Sequence, residues 1–255
     1  MKTDILTRRN LVVAAGVAGL GAAAESAAAN PPRAALSGPY VDVNTPQGSL
    51  LAHARLSGNI DPSQKRFDWF DGQVMAVAGN GNVTPLISVR GHIETGMAAT
   101  GNAWRLQRRL FATYYDSASG KALSDFHNPL TGARVKVSHV TGAHSESVLE
   151  EGASLHWRQD GANFYLSHAA QIDFAPLTGL STTTHLGAIA DLQDAARTTV
   201  RDIGSWTLVT AWLPWLKMGQ TAGHCVLQCR RGGGMEAAAD LPSEVLADAP
   251  EASIA

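Results

Sequence analysis

The sequence predicts a mainly β protein, a single antiparallel β-barrel of calycin or lipocalin type with one or two short helices; a β-sandwich is the alternative. Three observations lead there. Beyond residue 40 the chain is a succession of short alternating or apolar runs broken by Gly, Asn, Asp and Pro. Helix-like periodicity occurs at only two places, about 186–200 and 242–248. An open sheet of nine strands would leave two edges exposed, and closure into a barrel removes them.

Taken in order, residues 30–39 are rich in Pro and Ala and form a flexible lead-in. Strands are expected at 51–57, 67–78, 85–94, 103–115, 134–140, 154–158, 163–174, 205–213 and 223–230. Gly79-Asn80-Gly81-Asn82, Ser119-Gly120, Asn128-Pro129, Asp160-Gly161 and Gly219-Gln220 punctuate them. Asp160-Gly161, set between two strand-like runs, is the strongest hairpin signal. The segment 186–200 reads as an inserted helix, and 242–248 opens with Leu241-Pro242-Ser243-Glu244, a helix start. Arg231-Gly232-Gly233-Gly234 reads as a hinge, which places the β domain at 40–231 and a short helix with a partly disordered acidic tail at 232–255.

Residues 1–29 have a different composition. Lys2, Arg8 and Arg9 precede an uncharged Ala/Gly/Val/Leu run, and Ala27-Ala28-Ala29 supplies small residues for cleavage. The run, Leu11 to Ala24, is shorter than the roughly 20 residues a membrane-spanning helix needs. Thr7-Arg8-Arg9-Asn10-Leu11-Val12 has the form of a twin-arginine signal. The expectation is a cleaved export signal read by the twin-arginine translocase, a periplasmic or secreted mature protein, and no stable membrane anchor.

The whole chain of 255 residues carries a formal charge of −2; without residues 1–29 it keeps 17 basic and 20 acidic residues. Its basic residues are dispersed, which argues against a general nucleic-acid binder. Two cysteines are too few for a disulfide framework. Cys225 and Cys229 are four apart on an expected strand, which puts their Cα atoms about 13 Å apart, beyond disulfide reach. No zinc-ligand spacing, Gly-rich nucleotide loop or GxSxG elbow is present, so neither a metal nor another cofactor is expected.

Alternation along strands separates the faces. In 163–174, His168 stands in the row Phe164, Leu166, Ala170, Ile172 and Phe174; in 134–140, His139 follows Val135 and Val137. Imidazoles on apolar rows either find a hydrogen-bond partner in the core or line a cavity as acid/base groups. In 85–94 the polar row Ser88, Arg90, His92 and Glu94 reads as the solvent side. Arg108 interrupts the face Trp104, Leu106, Leu110, Ala112 and Tyr114; it reaches the barrel rim or binds an acidic ligand. Trp206, Trp212 and Trp215 fall within ten positions. They make either a core plug or an aromatic wall for a ligand.

Several of these segments share a further feature. Phe126-His127-Asn128-Pro129-Leu130-Thr131-Gly132, Val135-Lys136-Val137-Ser138-His139-Val140, Ser205-Trp206-Thr207 and Trp212-Leu213-Pro214-Trp215-Leu216-Lys217-Met218-Gly219 together resemble the bacterial domain-of-unknown-function family numbered 1838 over roughly 41–248. Tyr114-Tyr115-Asp116 fits its Tyr-Tyr-Asp turn. The resemblance implies export and no catalytic roles; Asn128, His139, Trp206, Trp212 and Trp215 match its motif positions.

The functional expectation is an exported barrel that encloses a small apolar or aromatic molecule and converts it by isomerase-, cyclase- or lyase-like chemistry. His139 and His168 would transfer protons, and Trp206, Trp212, Trp215, Asn128, Tyr114 and Arg108 would form the ligand site. The alternatives are a non-catalytic periplasmic carrier of a hydrophobic ligand and a structural or interaction protein.

Overall fold

Thr45-Pro46 starts the first element of the folded region. In the computed structural model, which describes residues 40–150, 157–174, 177–209, 213–218 and 225–247, the Thr45 hydroxyl accepts from the Gly48 amide at 3.1 Å. Pro46 then opens helix α1, Pro46–Ser57. This corrects the strand expected at 51–57: Leu51-Ala52-His53-Ala54-Arg55-Leu56 contains no β-branched residue, and the cap lies upstream of the alternating stretch. The helix buries Ala52, His53, Ala54, Arg55 and Leu56.

The strands follow: β1 (Arg66–Val77), β2 (Val83–Thr100), β3 (Ala103–Tyr115), β4 (Asp125–His127), β5 (Arg134–Lys136), β6 (Val140–Glu150), β7 (Trp157–Asp160), β8 (Asn163–Phe174), β9 (Leu177–Ala188), β10 (Asp202–Val209) and β11 (Cys225–Met235). Between β9 and β10 lies the five-residue helix α2 (Ile189–Gln193), and after β11 comes α3 (Ser243–Leu246). The helix expected over 186–200 therefore contracts to α2. The β-branched run Thr182-Thr183-Thr184 upstream of it belongs instead to β9, which pairs along its length with β8. Asp160-Gly161 makes the β7–β8 hairpin: Asp160 pairs with Asn163, and Gly161 takes the left-handed conformation at φ 57°.

Nine strands form one antiparallel sheet in the order β6-β3-β2-β1-β11-β10-β9-β8-β7, and β4 with β5 forms a separate two-stranded ribbon. Both sheets are open. The expected closed barrel is thus corrected: the sheet curls until β6 and β8 touch, but no ladder joins them among the described residues. The space a closing ladder would occupy is lined by side chains of Ser145–Leu149 from β6 and His168–Gln171 from β8. The sandwich alternative fails as well, because the second sheet is only a ribbon.

The main core lies on one face of the large sheet, around Phe70, Val74, Ile87, Val89, Leu110, Leu208 and Leu227. Each such side chain contributes about 1.5–3 kcal/mol on burial. A second cluster joins α1 and α2 to β8 through Ala52, Leu56, Phe164, Leu166 and Leu192. The opposite face of β2 is covered too. His92 and Glu94 are buried rather than on the solvent side, and His92 shares a small hollow with Val245 of α3. His92 stacks on Phe111 at 4.6 Å, and Glu94 meets Lys65 at 3.4 Å and Arg109 at 3.6 Å.

Arg231-Gly232-Gly233-Gly234, expected as a hinge, runs as the buried end of β11. Close approach explains the small residues: a Cβ on Gly233 would lie 1.9 Å from Asp68 Oδ1 and 2.3 Å from Arg66 Nη2.

Candidate functional site

The curl of the sheet leaves a cavity of about 450 Å³ between α1, β1, β3, β6, β8 and β9. Its lining is apolar at Trp69, Phe70, Ile93, Phe174 and Trp206 and polar at His53, Arg108, His168, His185, Asp68 and Arg231. A mostly apolar hollow with a few converging polar groups is the usual form of a small-molecule site.

Two of these polar residues, Asp68 and Arg231, belong to a buried ion network. The Arg66 side chain is fully buried; it donates to Asp68 at 2.8 Å, to Asp202 at 2.5 Å and to the Val200 carbonyl at 2.7 Å. Arg231 donates to the other oxygen of Asp202 and reaches Asp68 at 3.4 Å. Burial alone would raise the Asp202 pKa, but Arg231 and Arg66 hold the carboxyl far below the usual carboxylate range. Burial likewise opposes the charge on Arg231, and Asp202 and Asp68 raise its pKa in spite of that. Two guanidiniums and two carboxylates compensate one another, which is what keeps such a cluster affordable in an interior.

The network fixes one imidazole. His185 Nδ1 lies 2.8 Å from Asp202 Oδ2. Arg231 Nη1, 3.1 Å from the same nitrogen, already donates to that oxygen. A lone pair on Nδ1 would face the carboxylate, so Nδ1 carries the hydrogen and Nε2 is left as an acceptor. Among the described residues Nε2 has no hydrogen-bond partner, and the residue is 3% exposed. His168 stacks on His185 with ring centres 5.2 Å apart, and His53 meets His168 edge-on, also at 5.2 Å.

Burial, with the adjoining His and Arg groups, lowers His53 from 6.5 to about 3 and His168 from 6.5 to about 4. His185 is lowered as well, by burial first and Arg231 second, against the pull of Asp202. These rings are neutral at physiological pH. Among the described residues no group of three or more His, Cys, Asp or Glu side chains is arranged to hold a metal ion.

Of the residues singled out in the sequence, Arg108, His168 and Trp206 line this one cavity. Trp206 donates through its indole N–H to Ser181 at 2.7 Å and meets Phe70 edge-on at 5.2 Å. Arg108 donates to Ser147 at 2.6 Å. His139 is elsewhere, beside a smaller hollow with His92, Phe111 and Tyr115, and its Nδ1 accepts the Tyr114 amide at 3.1 Å. Tyr114 is buried in the core between His139 and Trp215. Asn128 is fully buried; it donates to the Leu216 carbonyl at 2.9 Å and accepts from the Leu130 amide at 2.9 Å, tying the Asn128–Gly132 turn to the short 3₁₀ turn Pro214–Leu216. Trp212 lies outside the described residues.

These placements correct the acid/base conversion expected in a closed barrel. The sheet is open, and His139 and His168 line different hollows and face no common substrate position. Sequence reading missed His53, His185, Asp202 and Arg231. His53 was hidden by the strand assignment of 51–57, and His185 stands in β9, Leu177–Ala188, where no strand is expected from the sequence. Asp202 and Arg231 stood at the margins of expected strands, where only long-range pairing brings them together.

Among the described residues no helix is long and apolar enough to cross a membrane. Residues 179–251, from β9 through α3, match the model of a family described as a protein of unknown function, DUF1838. Neither the curated proteins nor the solved structures contain a match to the chain.

Proposed function

We propose that this chain is a non-catalytic binding protein that carries a small hydrophobic molecule, aromatic in part, in the cavity between β6 and β8. The observation that supports the reading is the cavity's mixed lining, in which the aromatic rings of Trp69, Phe70, Phe174 and Trp206 stand together with the neutral imidazoles of His53, His168 and His185. Flat apolar walls supply affinity, and a few fixed polar groups supply orientation. Export belongs to the same reading. Arg8-Arg9 ahead of an uncharged run and a small-residue site would deliver the carrier outside the cytoplasm by the twin-arginine route.

Titration of the purified chain with 2-naphthalenemethanol, followed by tryptophan fluorescence, tests the carrier reading. The expected result is saturable one-to-one binding that Trp206→Ala weakens by about tenfold or more. Absence of saturable binding of this probe and of its acid and amide relatives refutes it. For export, a reporter fused after residues 1–29 is expected outside the cytoplasm and to stay inside when Arg8 and Arg9 are both replaced by Lys. Unchanged localisation of that variant refutes the twin-arginine route.

A further inference from the structure

We infer that the carried molecule is a monoanion, an aromatic or alicyclic carboxylate whose acid group pairs with Arg108 while its ring system lies against Trp206 and Phe70. The inference rests on the carrier reading above and adds the ligand's charge.

Charge arithmetic around the cavity carries it. Among the described residues Arg66, Arg108 and Arg231 are set against two carboxylates, Asp68 and Asp202, because the other lining carboxylate, Glu146, is half-exposed and held by Arg105 at 2.7 Å and Gln107 at 3.1 Å. Asp202 is bound by Arg66, Arg231 and His185. Asp68 takes the Arg66 Nε–H at 2.8 Å, the Gly234 amide at 3.1 Å and Arg231 at 3.4 Å. Among the described residues Arg108 has no carboxylate within 4.0 Å; its one hydrogen bond is to the Ser147 hydroxyl. With the imidazoles neutral, the lining carries one uncompensated positive charge.

Burial draws Arg108 down to about 10, with Asp68 pulling the other way and Arg66 adding to the fall. It therefore stays cationic at neutral pH. A guanidinium offers a planar fork of donors that fits a carboxylate at two points. A partly buried cation that no carboxylate contacts directly is costly, and an incoming carboxylate relieves that cost. A second group points the same way: the His185 ring lines the same cavity, nearly fully buried, and among the described residues its Nε2 acceptor has no hydrogen-bond partner.

Three probes of one shape separate charge from fit: 2-naphthoate, 2-naphthamide and 2-naphthalenemethanol, titrated into the full chain at pH 7 and low salt. The acid is expected to bind about tenfold or more tightly than the amide. Arg108→Gln is expected to remove that preference, weakening the acid far more than the amide, and Arg108→Lys to keep part of it. Equal affinity of acid and amide for the unaltered chain overturns the inference and leaves the carrier reading standing, a result that needs no variant to fold. A preference that survives Arg108→Gln overturns the assignment to Arg108. Failure of all three probes to bind overturns the carrier reading itself.

Discussion

Acidification from pH 7 to pH 5 strikes the part of the cavity that the fold holds most firmly in one protonation state. His53 and His168 are neutral in the folded chain because burial and neighbouring His and Arg groups lower them from 6.5 to about 3 and about 4. In the unfolded chain both rings take up protons as the pH falls through about 6.5, so between there and the folded values the unfolded state binds more protons. Stability is therefore complete above the unfolded pKa and is lost as the pH falls toward the folded one. From pH 7 to pH 5 each ring removes about 2 kcal/mol, together about 4 kcal/mol. His185 and His92 shift in the same direction and add to the loss. Asp202, held far below the usual carboxylate range, stays ionised throughout this window and contributes nothing to the change. Set against a typical stability of about 5–15 kcal/mol, the loss is large. Urea unfolding of the full chain at pH 7, 6 and 5, followed by tryptophan fluorescence, measures it. A His53→Gln/His168→Gln double variant is expected to flatten the dependence by about the same amount. A stability at pH 5 within about 1 kcal/mol of that at pH 7 would show that the rings are not held neutral and would refute the reasoning.

Other perturbations test the framework around the cavity. Asp202→Asn leaves Arg66, Arg231 and Asp68 with one uncompensated buried charge and is expected to cost about 3–5 kcal/mol in denaturant unfolding; a loss below about 1 kcal/mol would contradict the network's role. Gly233→Ala puts a Cβ 1.9 Å from Asp68 Oδ1 and is expected to destabilise by about 3 kcal/mol or more, read as a drop in the urea midpoint. Asn128→Ala, which frees the Leu216 carbonyl and the Leu130 amide, is expected to cost about 1–3 kcal/mol without altering the affinity of naphthalene probes, since Asn128 does not line the cavity. Cys225 and Cys229 are free and buried, and burial pushes the Cys225 thiol up to about 12 and raises Cys229 too. Iodoacetamide is expected to leave both unmodified in native protein and to alkylate both in urea, read by mass spectrometry.

What the sequence disclosed followed from local chemistry. The strand character of β1, β3, β8 and β10 is written in their alternation, and the β7–β8 turn in Asp160-Gly161. The row that holds His168 is equally plain, since Phe164 and Leu166 beside it are buried. Two segments misled for an identifiable reason. His53 stands in a stretch whose apolar residues alternate although its residue types favour helix, and the deciding Thr45-Pro46 cap precedes the stretch. His185 stands in Thr-rich β9, which runs directly into a helical turn, so a single window mixes two periods. Barrel closure follows from the cost of bare edges only if the edge strands pair, and here β6 and β8 approach without a ladder between them among the described residues. The ion network was illegible for another reason: its members, Arg66, Asp68, Asp202 and Arg231, are brought together only by the β1–β11–β10 ladder.

The electrostatics also bear on why a site with three imidazoles reads as a binding site. A general acid or base works best with a pKa near the operating pH. His53 and His168 lie two or more units below that, as burial among cationic neighbours requires. His185 is committed through Nδ1 to Asp202, an arrangement that in a hydrolase would orient a base toward a nucleophile; here the ring next to it is another imidazole, His168, at 5.2 Å. What remains to these rings is to accept or donate hydrogen bonds without changing charge. Asp202 sets the tautomer of His185, and Arg66 holds Asp202, so the buried network acts on the cavity by fixing which atoms present lone pairs. Among the described lining residues the positive charge that no carboxylate pairs is that of Arg108, and it is there that an acid group would be told from an amide.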